Sequence, residues 1–290
     1  MTSNLEVETR QQVREFYDRV GWHFTDADMF QNAHYEDLRP VSRQYVQDCH
    51  LRVRRFLPAA GKYLLDAGSG PVQYPEYLIY SEDYRFRVCV DISIVALQEA
   101  RRRVGVKGLF AVADIMNLPF KRNIFDGVVS LHTIHHLPLE HHRQAYGELY
   151  RVLKPAGSAV VVNAWNAPRL IHAIDRTVRF INRTRKKWYR ARSGEAAPGG
   201  GKHTSSTVSP KGTFVSHADA AWLKRELTGF IPFEIHVWRS VSVRFLRTFI
   251  HDRLAGRWLL QQLFQLEERY PRFFGENGQY PMIIIRKPKL

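Results

Sequence analysis

Short apolar runs that end in an acid recur along the first half of the chain. Tyr63-Leu64-Leu65-Asp66-Ala67-Gly68-Ser69-Gly70-Pro71 has this form, as do Arg87-Val88-Cys89-Val90-Asp91 and Leu109-Phe110-Ala111-Val112-Ala113-Asp114. Phe125 to His132 and Ala159 to Asn163 are two further apolar runs. Runs this short, without polar alternation and bounded by glycine or proline, predict strands of a parallel sheet buried on both faces. Between them the apolar positions recur at helical spacing, predicting helices over 94–104 (Val95, Leu97, Ala100, Val104) and 143–153 (Ala145, Leu149, Leu153). Tyr74 to Tyr80 predicts a helix and loop, and Arg101-Arg102-Arg103 a solvated helix face. Upstream, 7–19 and 41–57 also read as helices, the second with Tyr45, Cys49, Val53 and Leu57 on one face. Downstream, the pattern predicts a helix over 219–227, a strand over 233–243, a long helix over 246–269 and a last strand over 279–286. In the long helix Leu254, Trp258, Leu259, Leu263 and Leu266 are available for packing.

The strand-to-helix loop after Asp66 is the first candidate for chemistry. Gly68 and Gly70 permit positive φ and close approach of a ligand to the backbone, with Asp66 beside them. Asp91 follows about twenty residues on, where open α/β sheets hold ribose hydroxyls. A dinucleotide fingerprint would require a further glycine where Gln73 stands, and it has no counterpart of the Asp114 segment.

Taken in order, these segments resemble the class I S-adenosylmethionine-dependent methyltransferases, and among them the quinone-methyltransferase-like (type 11) group. The resemblance rests on the acid-x-Gly-x-Gly loop, the acid at Asp91, Ala113-Asp114 with Leu118-Pro119-Phe120, and Leu153-Lys154-Pro155-Ala156-Gly157 before the fifth strand. It runs from about Tyr63 to Asn163. Val72 stands where a third glycine is common, and Ala156 replaces the first glycine after Pro155. The resemblance implies a Rossmann-like, doubly wound, mostly parallel α/β sheet with an antiparallel last strand. It implies S-adenosylmethionine as methyl donor and S-adenosylhomocysteine as product. Gly68, Ser69 and Gly70 would face the methionine part, Asp91 and Ile92 the ribose, and Asp114 and Ile115 the adenine. Asp66 would act through the loop or the donor's amino group. Tyr17, in an N-terminal lid, would lie over the sulfur.

The fourth strand leads into Leu131-His132-Thr133-Ile134-His135-His136, where the acceptor is expected. His132 and His135 are the candidate general bases, and His132 also faces the donor; paired histidines occur here in the resembled group without being catalytic. His141 and His142 read as surface helix positions, and no spacing specifies a metal site. An Asn- or Asp-Pro-Pro-aromatic run and a Pro-Cys pair, marks of two classes of nucleic-acid methyltransferase, are both missing at this point.

The expected organisation is a helical lid (1–58), a donor-binding core (59–165), a basic insertion with a Gly/Ser-rich loop (166–214) and a part completing the sheet (215–290). Lys and Arg number 43 against 28 Asp and Glu, a net charge of +15, which favours anionic partners. In 169–192 cations alternate with Leu170, Ile171, Ile174, Val178, Ile181 and Trp188, the pattern of an interfacial helix on an anionic membrane, and equally of a basic helix packed on the core with its charges solvated; a nucleic-acid groove is the third reading. Cys49 and Cys89 have no metal-ligand spacing and are not expected to bridge. With no apolar run near the roughly twenty residues a span requires, the expectation is a cytoplasmic protein, soluble or peripheral to a membrane. Its acceptor would be small or amphiphilic, lipid-linked ones included, and methylated at oxygen or carbon. An RNA methyltransferase or a non-catalytic donor-binding scaffold are the alternatives.

Overall fold

The computed structural model describes residues 36–165, 214–216 and 218–289, together with Gln11, Arg14, Glu15, Asp18, Arg183 and Thr184. Tyr17, most of the expected lid ahead of residue 36, and nearly all of the basic insertion lie outside the described residues.

Seven strands form one sheet: β1 (Gly61–Ala67), β2 (Tyr84–Asp91), β3 (Gly108–Val112), β4 (Phe125–Leu131), β5 (Leu153–Val162), β6 (Phe233–Arg239) and β7 (Tyr280–Arg286). Their spatial order is β3-β2-β1-β4-β5-β7-β6. The first five run parallel, and β7 is antiparallel to both β5 and β6. Strand order reverses between β1 and β4, so the crevice beyond their C-terminal ends is where this class of sheet binds ligands. The antiparallel β7 has a second consequence. Val162 pairs with Met282, and Asn163 N donates to Pro281 O at 3.1 Å. The start of β7 and the end of β6 therefore lie at the same edge as the ends of β1, β4 and β5.

The central strands are buried on both faces, as continuous apolar runs require. One face packs on α1 (Arg43–Leu51), α2 (Pro75–Ile79) and the C-terminal helices, burying Tyr45, Cys49, Val53, Tyr77, Tyr80 and Leu260. The other packs on α4 (Leu139–Val152) and α5 (Ala220–Leu227) through Tyr146, Leu149, Leu223 and Leu227. Helix α3 (Ile94–Val104) matches the predicted span. The helix expected over 41–57 is α1 followed by a tighter turn, Arg52–Phe56, and its four predicted inward residues are all buried. Both cysteines are buried and unbridged.

Three expectations are corrected. The long C-terminal helix is broken into α6 (Val243–Phe249) and α7 (Gly256–Arg269), with α8 (Pro271–Asn277) after it. The break is backbone-driven: Ala255 is left-handed at φ 53°, Gly256 N returns to His251 O, and a Cβ on Gly256 would come within 2.7 Å of that carbonyl. Most of the apolar residues assigned there to packing, among them Leu254, Trp258 and Leu266, are exposed instead. Next, His142 is fully buried, its Nε2 lying 3.1 Å from Leu137 O and 3.0 Å from Ser216 Oγ, because the segment after the insertion docks on it. Finally, Arg103 is not simply solvated: its Nη1 donates to Gln73 O at 3.0 Å, tying α3 to the loop after β1.

The two departures from the family's glycines keep the backbone that glycine would take. Val72 has φ 53° and Ala156 φ 64°. A left-handed L-residue costs about 1–2 kcal/mol. Val72 is buried, so glycine there would lose packing, whereas Ala156 is exposed. Ala156→Gly should therefore stabilise the protein by about 0.5–1 kcal/mol after the added chain entropy of glycine is subtracted. Urea unfolding that showed a loss of stability would contradict this account of the turn.

Helix α7 is fastened by one buried carboxylate. Glu267 of α7 accepts from Tyr45 Oη at 2.8 Å, Arg52 Nη1 at 2.8 Å and Ser240 N at 2.9 Å. Removing one partner of a buried ion pair strands the other, at about 3–5 kcal/mol. Glu267→Ala should lower unfolding stability by that amount; a loss below about 1 kcal/mol would mean that Glu268, also on Arg52, suffices alone.

Candidate active site

Loop 68–70 turns sharply because two glycines take φ of 74° and 52°. At Gly68 the need is also steric. A Cβ there would sit 2.2 Å from Thr133 Cγ2, and Thr133 Oγ1 donates to Gly68 O at 3.1 Å. Thr133 lies just beyond β4, so the ends of β1 and β4 touch at this residue.

Asp91 organises the end of β2. Its Oδ2 accepts from Gly70 N at 2.9 Å and its Oδ1 from Ser93 N at 2.9 Å. Gly68 N and Ser69 N both donate to Val90 O, and Ala113 N to Asp91 O. The structure thus brings Gly68, Ser69, Gly70, Asp91 and the Asp114 segment together. Burial, with the Asp66 and Asp18 carboxylates nearby, pushes Asp91 up to about 6 against its two amide donors. Ser93 Oγ caps α3 through Ala96 N and donates to Asp18, so the described end of the N-terminal region reaches this corner. Ile92 is half-buried beside Asp91. Asp114 Oδ1 accepts from Met116 N at 2.8 Å, and Ile115 is buried in the core beneath.

Asp66 is committed elsewhere. Arg87 of β2 lies on the same sheet face, diagonally opposite, and its Nε and Nη2 both donate to Asp66 Oδ2. Both residues are buried, so the acid acts from beneath the loop as half of an ion pair. The sequence signal was an arginine inside an apolar strand, which burial obliges to find a carboxylate.

The segment after β4 separates the histidines. His132 follows β4 with φ 56°, its N donating to Val162 O at 2.8 Å. Burial, helped by Arg239, His50 and His136, pushes it down to about 4 against the pull of Glu36. Its ring meets Trp238 at 5.0 Å and Tyr280 at 5.6 Å between centroids. His135 Nδ1 lies 2.9 Å from Asn163 Oδ1 and donates to it, which places the lone pair of the neutral ring on Nε2. His136 Nδ1 donates to Phe214 O, and Ser216 N to His135 O, so His136 anchors the returning chain. Asn163, Trp238, Arg239, Tyr280 and Glu36 were not found from the sequence; each meets this edge only through the folded sheet.

Residues 65–161 match the family described as a methyltransferase domain. A demethylmenaquinone methyltransferase of Symbiobacterium thermophilum is 29% identical over 54% of this chain and 61% of its own length. A tRNA (carboxymethyluridine(34)-5-O)-methyltransferase of Arabidopsis thaliana is 35% identical over 40% of this chain and 28% of its own. The chain thus spans less than two thirds of these relatives. Among solved structures, the cyclase SpnF covers 97% of this chain and 98% of its own at TM-score 0.55 and 19% identity. Phosphoethanolamine N-methyltransferase 1 of Haemonchus contortus, in complex with phosphoethanolamine and S-adenosylhomocysteine, covers 100% of this chain and 51% of its own at TM-score 0.57 and 10% identity. Sequence match and strand order agree: residues 65–161 are a methyltransferase domain of the class I, S-adenosylmethionine-dependent type.

Proposed function

We propose that this protein transfers the methyl group of S-adenosylmethionine to a small or amphiphilic acceptor, at oxygen or carbon. The observation that carries the reading is Asp91, a carboxylate held between the loop and α3 at the end of β2, with the Asp114 segment on its far side. A carboxylate has about four acceptor positions, of which two amides take two. A ribose diol supplies the further donors that such a half-buried acid lacks. Glycines at positive φ on one side and Asp114 on the other fit the two ends of the same nucleoside.

When bound, the donor supplies a sulfonium methyl group, which passes to an electron pair of the acceptor. The chain's own contribution is alignment, exclusion of water and removal of a proton. His135 suits the last task, since Asn163 fixes its orientation and leaves Nε2 as the basic nitrogen. His132, depressed to about 4, is too weakly basic to hold a proton near neutral pH. An RNA acceptor is the second reading, supported by the tRNA-modifying relative and the excess of +15. Anchoring of 169–192 on an anionic membrane falls outside the described residues. Among the described residues, no helix is long and apolar enough to cross a membrane.

Calorimetry with S-adenosylhomocysteine tests the donor site. Binding should be saturable and weaken as pH falls below about 6, because protonation removes the acceptor form of Asp91. Asp91→Asn should bind about tenfold to a hundredfold more weakly, the value of a hydrogen bond to a charged group, with that pH dependence lost. Absence of heat, or an unchanged pH profile in the variant, contradicts the assignment.

The base is tested with methyl-labelled donor and a cell extract as acceptor source. His135→Ala should lower label transfer by about a hundredfold at unchanged S-adenosylhomocysteine affinity. Transfer at the wild-type rate would leave alignment as the sole mechanism.

A further inference from the structure

Beside the acceptor edge lies a buried cluster that the donor site does not use. Trp238 and Arg239 close β6, and Tyr280, paired with Arg239, opens β7. Arg239 is 1% exposed; its Nη1 donates to Glu36, and its guanidinium carbon stands 4.6 Å from the Tyr280 ring centroid and 5.1 Å from that of Trp238. The Trp238 ring meets His132 and Tyr280 edge-on and stacks on His50 at 5.5 Å. Three buried nitrogens here have no hydrogen-bond partner among the described residues: Trp238 Nε1, Arg239 Nε and His50 Nε2. The first two are N–H donors in every accessible protonation state. A buried donor without an acceptor costs about 1–3 kcal/mol, and native interiors keep few. Two on adjacent residues, next to the strand end where the acceptor belongs, call for an oxygen lone pair.

Charge narrows the choice. Burial raises Glu36, but Arg239 outweighs it and holds that carboxyl below its ordinary range, so the guanidinium is already neutralised. A phosphate would bring negative charge with no free cation among the described residues of the cluster to offset it, since the other buried cation here, Arg52, which donates to Trp238 O, is already paired with Glu267 and Glu268. A carbonyl oxygen would satisfy the donors at no net charge. His132 stays neutral near pH 7 and adds no charge. The walls are aromatic, which favours a flat ring.

Resting on the methyltransferase reading, we infer that Trp238 and Arg239 recognise a carbonyl oxygen on a flat, conjugated acceptor. They are specificity-determining residues for that reaction. A proton lost from such an acceptor to His135 leaves its electron pair delocalised onto the carbonyl oxygen. The two N–H groups then stabilise the developing charge, as preorganised donors do, while the proton now on His135 balances it.

The test is calorimetry with three probes of one shape: acetophenone, ethylbenzene and phenyl phosphate, each with and without S-adenosylhomocysteine. Acetophenone should bind at least about tenfold more tightly than ethylbenzene, and phenyl phosphate most weakly. Trp238→Phe keeps a ring and deletes one donor. It should reduce acetophenone affinity about tenfold and leave ethylbenzene unchanged, and Arg239→Lys should do the same. Equal affinity for acetophenone and ethylbenzene overturns the inference. So does equal loss of both in Trp238→Phe, which would make the cluster a clasp for the segment before α1, or tightest binding of phenyl phosphate. Absence of heat with S-adenosylhomocysteine contradicts the donor assignment instead, and the probe ratio without it still decides the carbonyl site.

Discussion

The carboxylate of Asp91 is the fixed point of the working edge. It accepts from the loop after β1 and from the cap of α3, while its backbone carbonyl receives the amide of Ala113. Three segments that meet a nucleoside in folds of this type are thus referred to one residue, two through its side chain and one through its backbone. Holding it costs something: burial and two neighbouring acids raise it to about 6, so the ionised form is less favoured than in water. A ligand with paired hydroxyls offsets that cost, which links the acid's discomfort to its use. The Gly68–Thr133 contact then sets how closely β4, and the histidines after it, approach the same ligand.

The other half of the edge depends on β7 running against its neighbours. That reversal returns β6 and β7 to the ends of β4 and β5, carrying Trp238, Arg239 and Tyr280 to His132. Glu36, just ahead of α1, reaches across to Arg239, and Arg247 Nη2 donates to the carbonyl of Glu36. Glu267 fastens α7 behind the same strand end. The edge therefore has one half made of loops on parallel strands and another made of aromatic and charged side chains held by the antiparallel pair. Side chains on the second half can vary without disturbing the first, which is how one fold serves many reactions.

The parallel strands and their terminal acids were legible because each is a local pattern: an apolar run, a carboxylate, small residues. Helix 94–104 was legible for the same reason. What the sequence hid depends on partners far along the chain. Arg87 finds Asp66 twenty-one residues away, Arg239 finds Glu36 across 203, and Tyr45 finds Glu267 across 222. No periodicity encodes such pairs. His142 looked like a surface residue because Ser216 and Trp222, both beyond the insertion, help make its position an interior one. The break at Ala255 is carried by backbone conformation at an ordinary residue, and the helical spacing of Trp258, Leu259 and Leu266 runs on without marking it. Conversely, the glycines missing at Val72 and Ala156 were visible at once; the folded backbone supplies their meaning, since both positions stay left-handed.

The account stands most directly on a crystal structure of the full chain grown with S-adenosylhomocysteine. It predicts ribose hydroxyls within hydrogen-bond distance of Asp91, the adenine beside Asp114, and the homocysteine sulfur directed toward His132 and His135. A nucleoside bound at the opposite edge of the sheet, or at this edge with Asp91 still contacting only Gly70 and Ser93, would contradict it.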